Sequence, residues 1–345
     1  MLSYQEEFSP PARLLLGPGP SNANSRVLQA MTAPLLGHLD PDFMRVLDDV
    51  KEMLRQVFQT ANGITLPVSG TGTAGMEAAL YNTLEPGDTV VVGINGFFAD
   101  RMSHIAARCG ATVHRVEAEW GCPLDPQALE AEVKKHASVK AVAVVHAETS
   151  TGVLNPVADI ANMAHAHGAL VIVDAVTSLG GLNVEVDNWG IDVCYSATQK
   201  CLGCPPGLAP ITLGGNAEKA LDNRQTPVQS YYLDMSLLRV YWAENRTYHH
   251  TAPISMIYGL REGLRIVLEE GLEARYQRHE RNATALRAGL EALGLTLFAQ
   301  EGVRLPTLTT ICVPDGVNDA NVRTALLRQY NIEIGGGLGA VAGKI

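Results

Sequence analysis

Apolar positions in the middle of the chain alternate between two spacings, and this alternation predicts the fold. Between Gly63 and Leu213, short apolar runs of strand length are separated by helical patterns with apolar residues three and four positions apart. The expected strands are Thr89–Val92, Thr112–Val116, Ala141–Val145, Leu170–Asp174, Asp192–Ser196 and Ala209–Leu213. The expected helices between them are Thr73–Leu84, Phe97–Cys109, Pro126–His136 and Val157–His167. Such alternation indicates an α/β fold, with a largely parallel sheet covered by helices on both faces.

The two ends of the chain follow other patterns. Pro41–Phe58 is expected to be an amphipathic helix, after an irregular opening that contains Gly17-Pro-Gly-Pro20. Beyond Gly214, the pattern predicts three helices and two short strands, at Ser255–Glu270, Leu272–Leu293, Asp319–Tyr330, Leu295–Phe298 and Leu308–Val313. We therefore expect an N-terminal arm at residues 1–20, a large α/β domain at 21–252 and a smaller α+β domain at 253–345. A helix is expected to join the two domains.

Composition and charge narrow the possible functions. The chain has 345 residues, of which 46% are hydrophobic and 18% charged, so it can bury a core without disulfides or metal. Its 26 Lys and Arg against 36 Asp and Glu give a formal charge of -10 without a basic block, which argues against nucleic-acid and anionic-membrane partners. The apolar runs are too short for a membrane span, the start lacks a secretory pattern, and six cysteines do not resemble a disulfide framework. We expect a cytoplasmic protein with small-molecule ligands.

A turn rich in glycine and threonine, Ser69-Gly-Thr-Gly-Thr-Ala-Gly75, leads directly into a predicted helix. Helix N-termini present unsatisfied N–H groups, glycines allow close approach and threonine hydroxyls add donors, so phosphate is the natural ligand. An ordinary capping turn is the alternative. The glycines also fit the G-x-G-x-x-G pattern of nicotinamide cofactor sites, but that site needs an acid after the next strand. Asp88 precedes that strand, so the required acid is missing. A nicotinamide-dependent oxidoreductase is therefore less favoured than a phosphate-binding turn.

Two charged residues follow neighbouring predicted strands. Asp174 ends the apolar run that begins at Ala169, a position where a carboxylate can also cap a turn. Lys200 follows the strand from Asp192 and precedes Cys-Leu-Gly-Cys-Pro-Pro-Gly207, which is an unlikely solvent face. The ends of parallel strands meet at one edge of a sheet. A phosphate cradle, a carboxylate for a pyridine nitrogen and an amine for an aldehyde are together what pyridoxal phosphate requires.

At these motifs, the sequence resembles the class V, fold type I aminotransferases, specifically the alanine–glyoxylate and serine–glyoxylate group. The matching segments are Leu15-Leu-Gly-Pro-Gly-Pro-Ser21, Ser69-Gly-Thr-Gly72, Leu84-Glu-Pro-Gly-Asp88, Glu148-Thr-Ser-Thr-Gly-Val153, Val173-Asp174, Tyr195-Ser-Ala-Thr-Gln-Lys200, Pro205-Pro-Gly207, Tyr248-His-His-Thr251 and Ile332-Glu-Ile-Gly-Gly-Gly-Leu338. The resemblance implies a mainly parallel seven-stranded sheet, pyridoxal 5'-phosphate as cofactor and an obligate homodimer with active sites at the subunit interface.

The same resemblance implies a ping-pong reaction that moves an amino group from a small amino acid, alanine or serine, to glyoxylate or a similar oxo acid. A related aminotransferase with another amine donor, of the ureidoglycine–glyoxylate type, is one alternative. A non-catalytic protein that binds pyridoxal phosphate is another.

The resemblance also implies roles for individual residues near the cofactor ring. Lys200 would bond to the cofactor aldehyde and act as general base and acid, and Asp174 would meet the pyridine nitrogen. Phe98 would stack on the ring, the alternative being a core residue at a helix start. Thr149 would bond to the ring hydroxyl; it stands where the family commonly has a serine, and its side-chain hydroxyl can make the same hydrogen bond.

Phosphate and substrate contacts follow from the same motifs. The implied phosphate ligands are Thr71, Gly72, Thr73 and Gln199, with Tyr248 and Thr251 from the neighbouring subunit. Gly19 and His38 are candidates for contact with substrate, and capping or solvation is the alternative for His38. An arginine for the substrate carboxylate is implied in a segment beyond Ile345, so we expect that the sequence is truncated there.

No metal site is expected from the sequence. Cys201-Leu-Gly-Cys204 has redox or zinc spacing, but no second pair accompanies it. The adjacent His249 and His250 point in different directions, and no further ligand is suitably spaced. A cysteine desulfurase would need a mobile late cysteine, whereas Cys312 lies in an apolar strand pattern.

Overall fold

The structure is a computed structural model that describes residues 7, 9–243 and 246–345. Its strands in these ranges are β1 Leu14–Leu15, β2 Ile64–Ser69, β3 Thr89–Ile94, β4 Thr112–Glu117, β5 Ala141–Val145, β6 Ala147–Glu148, β7 Val153–Leu154, β8 Leu170–Asp174, β9 Val193–Tyr195, β10 Leu208–Leu213 and β11 Ile332–Glu333. Its helices are α1 Ser25–Met31, α2 Pro41–Phe58, α3 Gly72–Thr83, α4 Phe97–Arg108, α5 Pro126–Val133, α6 Val157–Ala166, α7 Gly215–Asp222, α8 Met235–Tyr241, α9 Ile254–Glu270, α10 Leu272–Ala292 and α11 Asp319–Tyr330, with a short 3-10 turn at Gly339–Val341.

Seven of these strands form one sheet in the order β2-β10-β9-β8-β5-β3-β4. Strand β10 is antiparallel to both of its neighbours, and the other six strands run in one direction. The α/β class and the mainly parallel seven-stranded sheet are therefore confirmed. The strand list from the sequence was incomplete, because β2 contains Pro67, and proline weakens a strand pattern. The structure accommodates Pro67 at the sheet edge, opposite Pro210 of β10.

The central strands are almost entirely apolar because both faces of the sheet are covered. All five residues of β5 are buried, and Val171, Ile172 and Val173 of β8 are fully buried. Helix α9 packs on the same core through Ile257, Leu260, Leu264 and Val267, so the chain enters its last third through a buried helix. Among the described helices, none is long and apolar enough to cross a membrane.

The C-terminal third differs from the prediction in its strands. The expected strands Leu295–Phe298 and Leu308–Val313 are wrong, since only one bridge, between Leu297 and Ile311, joins these segments. The pairing stops there because the flanking backbone bonds elsewhere: Gln300 N donates to Gly121 O at 2.8 Å, and Val313 N donates to Lys344 O at 2.8 Å.

The chain ends are joined by a pairing that the sequence did not indicate. Strand β11 pairs in parallel with β1, with Leu14 opposite Ile332. The two neighbouring segments also pack closely, since a Cβ on Gly17 would come 3.2 Å from the backbone N of Gly335. This pairing holds the N-terminal arm in place. The boundaries of the arm and of the two domains stay predictions.

Candidate active site

Lys200 lies in the loop after β9, half-buried against the N-terminal arm. Its Nζ donates a hydrogen bond to the backbone carbonyl of Pro18. Gly19 has φ +130°, and a Cβ there would come 2.6 Å from Nζ, so only glycine leaves room for the amine. Burial lowers the pKa of Lys200, and the potentials of Cys201 and Asp174 oppose this shift without cancelling it. The neutral, nucleophilic amine is therefore easier to form than on a surface lysine.

Asp174 ends β8 with only 3% of its surface exposed. Its Oδ1 accepts a hydrogen bond from Val176 N at 2.8 Å, and its Oδ2 accepts one from Tyr195 OH at 2.8 Å. Burial raises the pKa of Asp174 to about 6, although both hydrogen bonds and Lys200 act in the opposite direction. The carboxylate thus caps the turn after its strand with one oxygen. It remains mostly ionised at neutral pH.

The glycine- and threonine-rich turn lies against the loops that carry these two groups. Helix α3 begins at Gly72, and its N-cap residue Thr71 makes no side-chain capping bond. A Cβ on Gly72 would come 3.2 Å from side-chain carbons of both Val176 and Ala197. These neighbours lie two residues after Asp174 and three before Lys200. Ala74 N donates to Thr71 O at 2.8 Å. The N–H groups of Gly72 and Thr73, at the very start of α3, have no preceding turn to bond to, so they can bind an anion here.

Gln199, next to the lysine, is half-buried and carries a buried side-chain oxygen. Its backbone oxygen accepts a hydrogen bond from Ser21 N at 2.9 Å. Its Oε1 is buried without a hydrogen-bond partner among the described residues. Such a group costs about 1–3 kcal/mol, which a ligand can offset. Because an amide can turn over, Gln199 can present either an acceptor or the donor Nε2 to a ligand at this position.

Glu148, the last residue of β6, is fully buried against the start of α4 and fixes the position of that helix. Its carboxylate accepts hydrogen bonds from Ala99 N at 3.1 Å and from Ser150 Oγ at 2.6 Å, with a longer one from Phe98 N at 3.4 Å. A Cβ on Gly96 would come 2.6 Å from Ser150 Oγ, so glycine is needed there. Burial raises the pKa of Glu148 despite these bonds. The carboxylate thereby holds the backbone of Phe98.

Arg101 connects the start of α4 with the start of α3. Its guanidinium lies over the rings of Phe97 and Phe98, at 5.2 and 5.0 Å from their centroids, and donates to Thr73 Oγ1 at 3.1 Å. Phe98 is also partly packed on the main core. Both interpretations of Phe98, as a core residue and as a stacking partner for a ring, are therefore compatible with its position.

The remaining candidates fall into two groups. Thr149 is buried, and its hydroxyl is hydrogen-bonded to that of Thr177, in the loop after β8. The ring of His38 lies 5.2 Å from that of Tyr248, which is 55% exposed, and Thr251 is exposed as well. Within the described ranges, no hydrogen bond joins Tyr248 or Thr251 to residues 71–73. The structure thus brings Thr149, in the turn after β6, against the loop after β8. It leaves Tyr248 and Thr251 exposed and His38 half-buried beside Tyr248.

Three contributors to this site were missed from the sequence as separate residues. Glu148 and Tyr195 stood only as letters of motifs, and Arg101 stood inside an ordinary helix pattern. A glutamate at the end of a buried apolar segment, the strand β6, was the one available signal. The contact between Tyr195 and Asp174 depends on strand register, which places the two residues opposite each other.

The chain resembles known proteins over nearly all of its length. Residues 14–342 match the family described as aminotransferase class-V. The chain is 42% identical, over an alignment of 362 residues, to the (S)-ureidoglycine–glyoxylate transaminase of Bacillus subtilis (strain 168), covering 100% of this chain and 87% of that protein. It is 40% identical over 342 residues to the alanine–glyoxylate aminotransferase of Callithrix jacchus, covering 98% and 82%. The crystal structure of an alanine–glyoxylate aminotransferase from Nostoc sp. matches with a TM-score of 0.97 and 47% identity, covering 99% and 90%.

Proposed function

This chain belongs to the class V aminotransferases and is a transaminase, and we propose that it uses pyridoxal phosphate to move an amino group from alanine or serine to glyoxylate. The convergence of Lys200, Asp174 and the start of α3 carries the proposal. Glyoxylate is the acceptor that the names of both curated relatives share. An amine after β9, a buried carboxylate at the end of β8 and an anion site after β2 form the donor set that this cofactor needs.

The chemistry of the site's residues supports this cofactor. The N-terminus of α3, with Thr71, Gly72 and Thr73, would hold the phosphate, and the amide of Gln199 would gain a partner there. Asp174 would hold the ring nitrogen in its protonated form. Phe98 would pack on one face of the ring, and the hydroxyl of Thr149 would bond to the ring oxygen. When bound, the cofactor supplies an aldehyde carbon that carries the amino group and a ring that withdraws electrons.

Lys200 would perform the proton transfers. Its lowered pKa favours the neutral amine, which would hold the cofactor through its aldehyde group and would take the proton from the α-carbon of the donor. The carbonyl of Pro18 orients Nζ before the donor arrives. Gly19, which lies beside the amine, leaves room for a small substrate there, and His38 is the second candidate for contact with substrate.

We also propose a homodimer in which Tyr248 and Thr251 of one subunit complete the phosphate site of the other. An exposed aromatic surface supports this proposal: Tyr231, Tyr232 and Tyr248 are 71%, 45% and 55% exposed. Exposed apolar groups gathered in one region mark protein interfaces. The rings of Tyr231 and His249 stack at 5.1 Å in the same region. Six free cysteines favour a reducing compartment, for which the cytoplasm is our proposal.

One observation favours ureidoglycine as an alternative amino donor: the 42% identical relative is named for it. A donor panel distinguishes the candidates: the full chain, loaded with pyridoxal phosphate, is given alanine, serine or ureidoglycine with glyoxylate, and release of the keto product is followed. Turnover with alanine or serine supports the proposal. Turnover with ureidoglycine alone would contradict the proposed donor and identify ureidoglycine in its place. Cofactor colour without turnover of any donor would contradict a catalytic role.

A further inference from the structure

A second group of ligand-type side chains lies at the opposite edge of the sheet. His114 of β4, Glu132 of α5 and His136, just after α5, place one ligand atom each within 4.8 Å of one another. Edge strand β4 is separated from β8 by β3 and β5. Three strand spacings, about 14 Å, therefore separate this cluster from the strand that ends at Asp174. We propose that these three residues bind a divalent transition-metal ion of the zinc class.

Glu132 Oε1 is the atom on which the two imidazoles converge. His136 Nε2 lies 3.1 Å from it and His114 Nδ1 lies 3.6 Å from it. Ligand atoms on a tetrahedral zinc ion, with bonds of about 2.0–2.1 Å, are about 3.3 Å apart. The observed separations lie on either side of this value, so small side-chain rotations would place an ion between the three atoms.

The local backbone explains why these donors face one another. Glu132 and His136 are four positions apart at the end of α5, where the i and i+4 side chains share a face. His136 stays on that face because its N–H still bonds to Val133 O at 3.2 Å. Strand β4 presents His114 to the same helix, and the two rings lie 3.8 Å apart with their planes inclined by 34°.

Charge and access suit a divalent cation. Two neutral imidazoles and one carboxylate are a common zinc donor set, and partial exposure leaves the fourth position to water. The three side chains are 29%, 17% and 21% exposed. The Lys135 ammonium bonds to the other oxygen, Oε2, at 2.7 Å and is itself mostly exposed, so it leaves Oε1 to the ion. This site would fasten the edge strand β4 to α5.

The test measures zinc binding by the cofactor-loaded full chain. Calorimetric titration with zinc chloride is expected to give about one ion per chain. His114→Ala, Glu132→Gln and His136→Ala are each expected to weaken zinc binding at least about 10-fold. His167→Ala is the matched control, because His167 also bonds to a glutamate of α5, Glu130, at 3.0 Å, and it is expected to bind zinc like the parent.

Anomalous scattering from a zinc-soaked crystal locates the ion without relying on variants. A peak between the three side chains supports the proposal, and cysteine thiols are the competing location. A peak only at a thiol would overturn it. So would unchanged zinc affinity in all three variants, or the absence of zinc binding by the parent. None of these results depends on the amino donor or on turnover.

Discussion

The charged groups at the ends of β6 and β8 and after β9 differ from the ion pairs of α1 and α9 in both burial and pairing. Asp174 and Glu148 are almost completely buried, and burial raises the pKa of each. Glu262, whose own side chain is 12% exposed, bonds to two more exposed partners, Arg26 at 2.7 Å and Arg265 at 2.8 Å. Arg265 lowers the pKa of that carboxyl, with Arg26 adding to the effect. Ionisation of the buried carboxylates is thus disfavoured by burial, whereas ionisation of Glu262 is favoured by two guanidinium groups. Charge kept under such conditions is typical of catalytic sites.

Lys200→Ala is the change with the largest expected effect in the buried region. Removal of the amine should reduce turnover at least about 1,000-fold, because both the nucleophile and the proton carrier are lost. The visible absorbance of the lysine-bound cofactor should disappear as well. Absorbance and steady-state rate check this prediction, with Lys219→Ala, an exposed lysine of α7, as the control. Retention of colour and turnover in K200A would exclude the lysine from the reaction.

Asp174→Ala should reduce turnover about 100-fold, since an interaction with charge that develops in the ring is lost. Cofactor attachment to Lys200 should survive, so the protein should stay coloured while kcat falls. The comparison of absorbance with kcat separates this outcome from misfolding, which would remove both. Unchanged turnover would mean that Asp174 serves only as the turn cap for Val176.

Tyr195→Phe should produce a smaller effect, visible in the pH profile. The hydroxyl of Tyr195 donates to Asp174 and lowers its pKa, so the variant should have an Asp174 pKa above the value of about 6. The carboxylate would then protonate earlier as the pH falls, and the acid limb of activity should move upward by about one pH unit. Rate measurements between acid and neutral pH test this shift. A displacement toward lower pH, or an unmoved limb, would contradict the assigned hydrogen bond.

Glu262→Gln should have the smallest effect, because its partners are exposed. The side chains of Arg26 and Arg265 are 40% and 45% exposed, so solvent screens both pairs. We expect the free energy of unfolding to fall by about 0–1 kcal/mol, with turnover unchanged. Urea unfolding and the steady-state rate measure the two quantities. A loss of activity comparable to that of D174A would remove the distinction between the regions.

Periodicity and short motifs predicted much of this molecule. The bounds of β5, β8, α2 and α11 agree with the expected ranges. The two strands are short apolar runs with distinct ends, and the two helices begin after the capping side chains of Asp40 and Asn318. Strand β2 was missed through its proline. The pairing of β1 with β11 was missed because the two strands are far apart in sequence and have only two residues each.

In the candidate site too, residues within motifs were predicted from the sequence, and contacts between distant segments were not. Lys200, Asp174 and the turn before α3 were recognised because each follows or precedes a buried element in a distinctive motif. The hydrogen bonds of Glu148 to the start of α4, and of Tyr195 to Asp174, depend on which elements are neighbours. So does the cluster of His114 with Glu132 and His136.

The order of residues by itself determined which segments are strands and helices, which faces they bury and which charged groups end the central strands. Only the tertiary structure decided which side chains from distant segments meet, because strand order and helix packing depend on the whole core. A local period specifies a buried face without naming the residue that will cover it.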